Sequence, residues 1–135
     1  MTVPFRHEIQ RRFGDIDQQM HVNNVTYFEY AQDARIALLF SAWHVTKLDV
    51  QHVVVRAEMN YRKALVLSLE PVVVEVWVSH VGNSSYTLSY RILDEHGELA
   101  ADATTTMAVI DPAAGRAARI PEELRALLEG LRIDA

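Results

Sequence analysis

Cysteine is absent from the 135-residue chain. That removes disulfides and thiolate metal sites and fits a reducing compartment. No apolar run approaches the ~20 residues that span a bilayer, and Met1 to Arg6 lack the apolar core of a signal peptide. A soluble, cytoplasmic protein with no membrane partner is therefore expected. Positive charge is also scarce. The 13 Lys and Arg stand against 18 Asp and Glu, for a net charge of −5, which argues against general nucleic-acid binding. No Gly-rich phosphate loop occurs. No Gly-x-Ser-x-Gly elbow occurs either, so the usual serine-esterase route is unsupported. The six histidines sit at 7, 21, 44, 52, 80 and 96, never at the close pair spacing of metal ligands. No metal site is expected.

What is present is enough for a core. Half the residues are hydrophobic, and the length suits a single domain over residues 1–135. No repeat or domain linker stands out; Ala113-Ala114-Gly115-Arg116-Ala117-Ala118 is the most linker-like stretch. Val3 to Arg12 reads as a first strand. A helix is predicted from Asn23 to about Phe40, capped by Asn23 or Asn24. Its apolar side is Phe28, Ala31, Arg35, Leu38 and Leu39 at helical spacing, broadened by Tyr27, Ala34 and Ile36. Ser41 to Asp49 reads as a polar loop.

The period then changes to two. Val53, Val55, Ala57, Met59 and Tyr61 alternate with Val54, Arg56, Glu58, Asn60 and Arg62, which predicts a long strand with one buried face. Val72, Val74, Val76 and Val78 mark the next strand. Tyr86, Leu88, Tyr90 and Ile92 mark another, after a turn at Val81-Gly82-Asn83-Ser84-Ser85. Ala101, Ala103, Thr105, Met107 and Val109 mark the last. Pro121-Glu122-Glu123 opens a terminal helix striped by Leu124, Leu127, Leu128 and Leu131. One long helix on one face of an antiparallel sheet is an α+β architecture. Such a sheet ends in an open edge, and pairing that edge with a second copy is a simple remedy. At least a dimer is expected.

The chemistry concentrates in one stretch, from Arg12-Phe13-Gly14-Asp15-Ile16-Asp17 through His21-Val22-Asn23-Asn24 to Tyr27. A strand ending in two acids, a polar turn and an Asn pair at a helix start bring a carboxylate, an imidazole and free helix N–H groups together. Those are the parts needed to attack an acyl group and hold its oxyanion. The same residues resemble the hotdog-fold acyl-CoA thioesterases of the 4-hydroxybenzoyl-CoA thioesterase type. Tyr61-Arg62-Lys63-Ala64, Val81-Gly82-Asn83-Ser84-Ser85 and Ile120-Pro121-Glu122 extend the resemblance over nearly the whole chain. Asp17, Gln19 and His21 are also similar to the alternating acid, amide and histidine of plant acyl carrier protein thioesterases, with Gln in place of Asn.

The resemblance implies a long central helix wrapped by a five-stranded antiparallel sheet, with a short C-terminal helix added here. It implies a homodimer or homotetramer with active sites at the subunit interface. It implies an acyl-CoA substrate and no cofactor beyond the coenzyme A that is part of that substrate. By the resemblance Asp17 is the nucleophile or general base, and the helix N-terminus near Asn24 polarises the thioester carbonyl. One position departs from the pattern. Many members have glycine just before His21, where this chain has Met20. A side chain resists positive φ, so the turn is expected to differ locally.

Each site residue also has a plainer reading. Asp17 can be an acid stabilising the helix dipole, His21 a hydrogen-bonded support, and Asn24 a simple cap. Asp15 reads as structural, bonding turn amides or Arg35. Arg62 and Lys63 can meet coenzyme A phosphates or simply be solvated at a strand end. Ser84 and Ser85 can touch the nucleotide or only make the turn. Phe40, Trp43 and Trp77 read as core or interface. The expectation is an acyl-CoA thioesterase, with a carrier-protein thioesterase or a non-catalytic acyl-thioester binding module as the alternatives.

Overall fold

A computed structural model of the chain describes residues 3–42 and 51–134. Element order is β1 (Phe5–Ile9), α1 (Asn24–Ala42), β2 (Gln51–Tyr61), β3 (Val72–Val81), β4 (Ser85–Leu93), β5 (Leu99–Asp111), β6 (Arg116–Ala117) and α2 (Glu122–Gly130). The sheet runs β1-β3-β4-β5-β2, with all pairs antiparallel, and β6 folds back onto β5. α1 packs on β3, β1 and β4. Five main strands around one long helix, with a short terminal helix, is the architecture expected.

The period-two pattern holds where the chain itself covers the strand. Val72, Val74, Val76 and Val78 are fully buried, as are Tyr86, Leu88 and Ile92, and Ala101 and Val109 on β5. β-Branched side chains suit this pleated surface, and each fully buried Val or Leu contributes roughly 1.5–3 kcal/mol. Leu124 and Leu128 of α2 are buried too, with Leu127 and Leu131 packed beside them. The β3–β4 turn and the approach to α2 lock together. Asn83 C=O accepts the Ile120 N–H at 2.9 Å, and Arg125 donates to the Gly82 and Asn83 carbonyls. A Cβ on Gly82 would lie 3.1 Å from the Ser85 carbonyl oxygen, so the turn needs a small residue there.

The structure differs from expectation at six places. β1 stops at Ile9, and the two acids follow it in a 3₁₀ turn (Phe13–Asp15) and a loop. α1 continues through Ser41 and Ala42; the rest of the expected loop, and Trp43, lie outside the described residues. The linker-like alanines contain β6, because Gly115 at φ 67° turns the chain back onto β5. Trp77 stands on the outer face of the sheet with the Arg91 guanidinium 5.0 Å from its ring centre. Among the described residues nothing buries a face of β2: His52 and Met59 are partly covered, and Val53, Val54 and Val55 are exposed. It is an edge strand, and a bulge between Val54 and Arg56 shifts its alternation. α1 likewise buries Tyr27, Tyr30, Ala31, Ala34, Leu38 and Leu39 but exposes Val25, Phe28, Ile36 and Phe40. Its apolar residues therefore serve two sides, only one of which the chain covers.

Candidate active site

Asp15 anchors the loop that carries the site. It is buried, and its carboxylate accepts the Arg12 N–H and guanidinium, both at 3.0 Å, and the Tyr30 hydroxyl at 2.7 Å. Burial alone would raise its pKa. The Arg12 backbone N–H, the Tyr30 hydroxyl and the Arg12 guanidinium outweigh burial and hold it below the ordinary carboxylate value. The cation that meets Asp15 is thus Arg12. Arg35 instead donates to the Tyr90 hydroxyl.

From there the chain makes a small hairpin. Ile16 pairs with Val22, the Asp17 N–H donates to the His21 C=O at 2.9 Å, and the Met20 N–H donates to the Asp17 C=O at 2.9 Å. Met20 sits at φ 65°, the left-handed position that a bulged hairpin turn asks for. So the turn keeps the shape that glycine would give, and Met20 carries the strain. A left-handed side chain costs roughly 1–2 kcal/mol, offset in part by the freedom glycine loses on folding. Met20→Gly is therefore expected to stabilise the protein by about 0.5–1 kcal/mol. A rise of a few degrees in Tm would show this, and an unchanged or lower Tm would contradict it.

Two further bonds stitch this hairpin to its surroundings. Val22 N–H donates to Leu65 C=O at 2.7 Å, and Asn23 N–H donates to Asp15 C=O at 2.9 Å. The Asn23 side chain is the helix cap, accepting the Val25 N–H at 3.0 Å. This leaves the Asn24 N–H, first of α1, without an acceptor among the described residues. The Asp17 carboxylate accepts the Gln19 N–H through Oδ1 at 2.9 Å. Its Oδ2 has no partner among the described residues.

These groups open into one cleft of about 460 Å³, lined by Asp17, Gln19, His21, Asn24, Tyr61, Arg62 and Lys63 among others. Five of the seven expected site residues therefore meet: Asp17, His21, Asn24, Arg62 and Lys63. Ser84 lies in the β3–β4 turn and Ser85 opens β4, and neither lines this cleft. Arg62 Nε pairs with Asp102 at 2.8 Å, and Lys63 Nζ pairs with Asp94 at 2.6 Å and Glu98 at 2.5 Å. Asp94 is buried, which would raise its pKa; Lys63 and the N–H groups of Glu98 and His96 bring it down to about 2. The two cations thus arrive already matched by acids.

Two tyrosines not expected to line the site complete it. The Tyr27 hydroxyl donates to Lys63 C=O at 3.2 Å and accepts Leu65 N–H at 3.0 Å, tying α1 to the segment after β2. The Tyr61 hydroxyl donates to Asn24 C=O at 2.8 Å, and its ring meets Tyr27 edge-on at 5.0 Å. Burial raises the pKa of both phenols, so they stay protonated donors. Their positions at the helix start and just before Arg62-Lys63 were the available signal. Among the described residues no set of His, Cys, Asp and Glu could hold a metal ion, and no helix is long and apolar enough to cross a membrane.

Comparison with known proteins points one way. A family profile described as the thioesterase-like superfamily matches residues 11–128. The long-chain acyl-CoA thioesterase FadM of Escherichia coli is 32% identical over 127 residues, covering 90% of this chain and 95% of that protein. A thioesterase from Thermus thermophilus solved with coenzyme A and Zn superposes with a TM-score of 0.83 at 29% identity, covering 96% of this chain and 95% of that one. The probable thioesterase YbaW of Escherichia coli superposes with a TM-score of 0.83 at 30% identity, covering 95% and 98%. The wrapped-helix architecture is thus that of the hotdog-fold thioesterases.

Proposed function

Because this chain belongs to the thioesterase-like superfamily of thioester hydrolases, we propose that it cleaves an acyl-CoA to a carboxylic acid and coenzyme A, with Asp17 driving the attack and α1 holding the oxyanion. One observation carries this reading: Asp17, whose Oδ2 is unengaged, and Asn24, whose N–H lacks an acceptor among the described residues, line the same cleft. A thioester carbonyl oxygen placed at that N–H gains a donor backed by the positive end of the helix dipole. Asp17 then attacks the carbonyl carbon, or takes the proton of a water that attacks it. The tetrahedral intermediate collapses by breaking the C–S bond, and the electron pair leaves on the coenzyme A sulfur. In the first route water then hydrolyses the acyl–Asp17 anhydride.

The His21 side chain lines the cleft without a partner among the described residues, so it is free to orient water or contact the acyl group. A coenzyme A phosphate at the rim would share Arg62 with Asp102, and Lys63 with Asp94 and Glu98. Neither route calls for a metal or redox cofactor. The composition, free of cysteine, suits work in the cytoplasm.

The assembly we propose is a homodimer, or a homotetramer built from it, joined along β2. That edge presents unpaired backbone and exposed Val53, Val54 and Val55 beside the uncovered side of α1. A second copy paired along β2 would cover that edge. Sedimentation is expected to show at least a dimer at micromolar concentration. Val55→Lys, a charge on the edge, is expected to shift it towards monomer. A monomeric parent protein would overturn this assembly.

The function is tested by thiol release from short, medium, long and aromatic acyl-CoAs, with matched acyl carrier protein thioesters beside them. Turnover of CoA thioesters supports the reading. Turnover of carrier-protein donors alone would replace the donor, and binding without any hydrolysis would make the chain an acyl-thioester binding module.

A further inference from the structure

A second, smaller groove of about 180 Å³ runs along the seam between α1 and β2, lined by Phe28, Ala31, Gln32, Arg35, Val54, Ala57 and Thr105. Its lining residues continue the two borders of the Asp17 cleft. Asn24, Phe28, Ala31 and Arg35 succeed one another along one side of α1. Tyr61, Ala57 and Val54 run the opposite way along β2, and Tyr61 is bonded to Asn24. An acyl chain whose carbonyl sits at Asn24 would therefore extend along Phe28 and Ala31 towards Arg35.

The far end of this groove is polar in a way an alkyl tail does not need. The Arg35 guanidinium donates to the Tyr90 hydroxyl at 3.3 Å, and that hydroxyl lies 2.6 Å from the Thr105 hydroxyl. Tyr90 and Thr105 are buried. No carboxylate among the described residues lies within ion-pair distance of Arg35, although the other cations near the site, Arg12, Arg62 and Lys63, each have one. A guanidinium with no counter-ion among the described residues, at the end of an apolar groove, favours an anion or a strong acceptor.

Resting on the acyl-CoA reading above, we infer that Arg35 is a specificity residue that selects acyl groups bearing a carboxylate at the end remote from the thioester. Asn24 and Arg35 are about 16 Å apart along the helix at 1.5 Å per residue. Arginine side chains reach back towards the helix N-terminus, which leaves the span of a medium-length chain. A purely aliphatic tail would have to end against the charge.

The test compares octanoyl-CoA with its ω-carboxyl counterpart, by turnover and by calorimetric binding of their non-hydrolysable thioether analogues. The variants are Arg35→Met, which keeps the side-chain length, and Arg35→Lys, which keeps the charge. The parent protein is expected to prefer the ω-carboxyl compound by about 10- to 100-fold, the range of a charge-assisted hydrogen bond. Arg35→Met is expected to erase or reverse that ratio, and Arg35→Lys to restore part of it. Equal binding of both analogues by the parent, or a ratio that Arg35→Met leaves unchanged, would overturn the inference. Binding reads Arg35 independently of hydrolysis. A protein that binds with the expected preference but does not turn over would sink the catalytic reading and leave this one standing.

Discussion

Asp17→Asn is expected to lower thiol release from acyl-CoA by about 10²–10⁴-fold, the range that a positioned base or nucleophile contributes. The loss should fall on kcat more than on KM, because the donor that meets the thioester carbonyl, the Asn24 N–H, is a backbone group that the change does not touch. Folding should survive. The bond from Gln19 N–H to Asp17 Oδ1 can pass unchanged to the Asn oxygen, and the hairpin is otherwise closed by backbone bonds. The amide loses only what the chemistry needs, a charged oxygen able to attack or to take a proton. Thermal unfolding run beside the kinetics separates the two effects. A variant that retains turnover with normal stability would remove Asp17 from the reaction, and the cleft would need another attacking group.

The second large effect is on stability. Asp15→Ala should cost about 2–4 kcal/mol, since it strands the Tyr30 hydroxyl in the core and frees the Arg12 N–H that closes the 3₁₀ turn. For a chain of this size that is a fall in Tm of roughly 10 °C. Arg12 itself is exposed, so losing its partner adds little. The origin of the loss can be checked by a double-mutant cycle. In a Tyr30→Phe background, Asp15→Ala should cost clearly less, and strictly additive costs would refute the proposed bond. The charge also sets a pH dependence. Folded Asp15 ionises below its ordinary pKa of 3.8, so the contribution is full above about that pH. It is lost as pH falls below it, because the unfolded chain then binds the proton first. Asp15→Ala should flatten that acid limb.

Much of this was legible in the sequence, and the reasons can be named. The valines of β3 and the alternating residues of β4 and β5 are buried by the chain itself, so period and burial agree. The Asp17 to Asn24 stretch is local, so its residues meet whatever the rest of the fold does. β2 misled because the described residues leave its alternating side chains exposed, so period and burial part company there. The apolar residues of α1 misled for the same reason, with Phe28 and Ile36 appearing to join the stripe that Tyr30 and Ala34 bury. Met20 was misjudged because its strain is set against backbone bonds on either side, from Asp17, His21 and Val22. Propensity alone does not count those. The partners of Lys63 were illegible because Asp94 and Glu98 reach it from another hairpin, about thirty residues away in the chain.

That hairpin has a consequence for anyone altering the molecule. Its tip, Asp94 to Gly97, holds Lys63 through Asp94, and through Glu95 it holds the buried Arg11 at 3.0 Å. Arg11 precedes the hairpin that carries Asp17 and Lys63 follows β2, so one short turn clasps both borders of the cleft. A peptide tag or fluorophore spliced there would be felt at Asp17. Among the described residues, the turn between β5 and β6 is closed by its own bonds to Asp111 and to nothing beyond them. It is the better place to lengthen the chain.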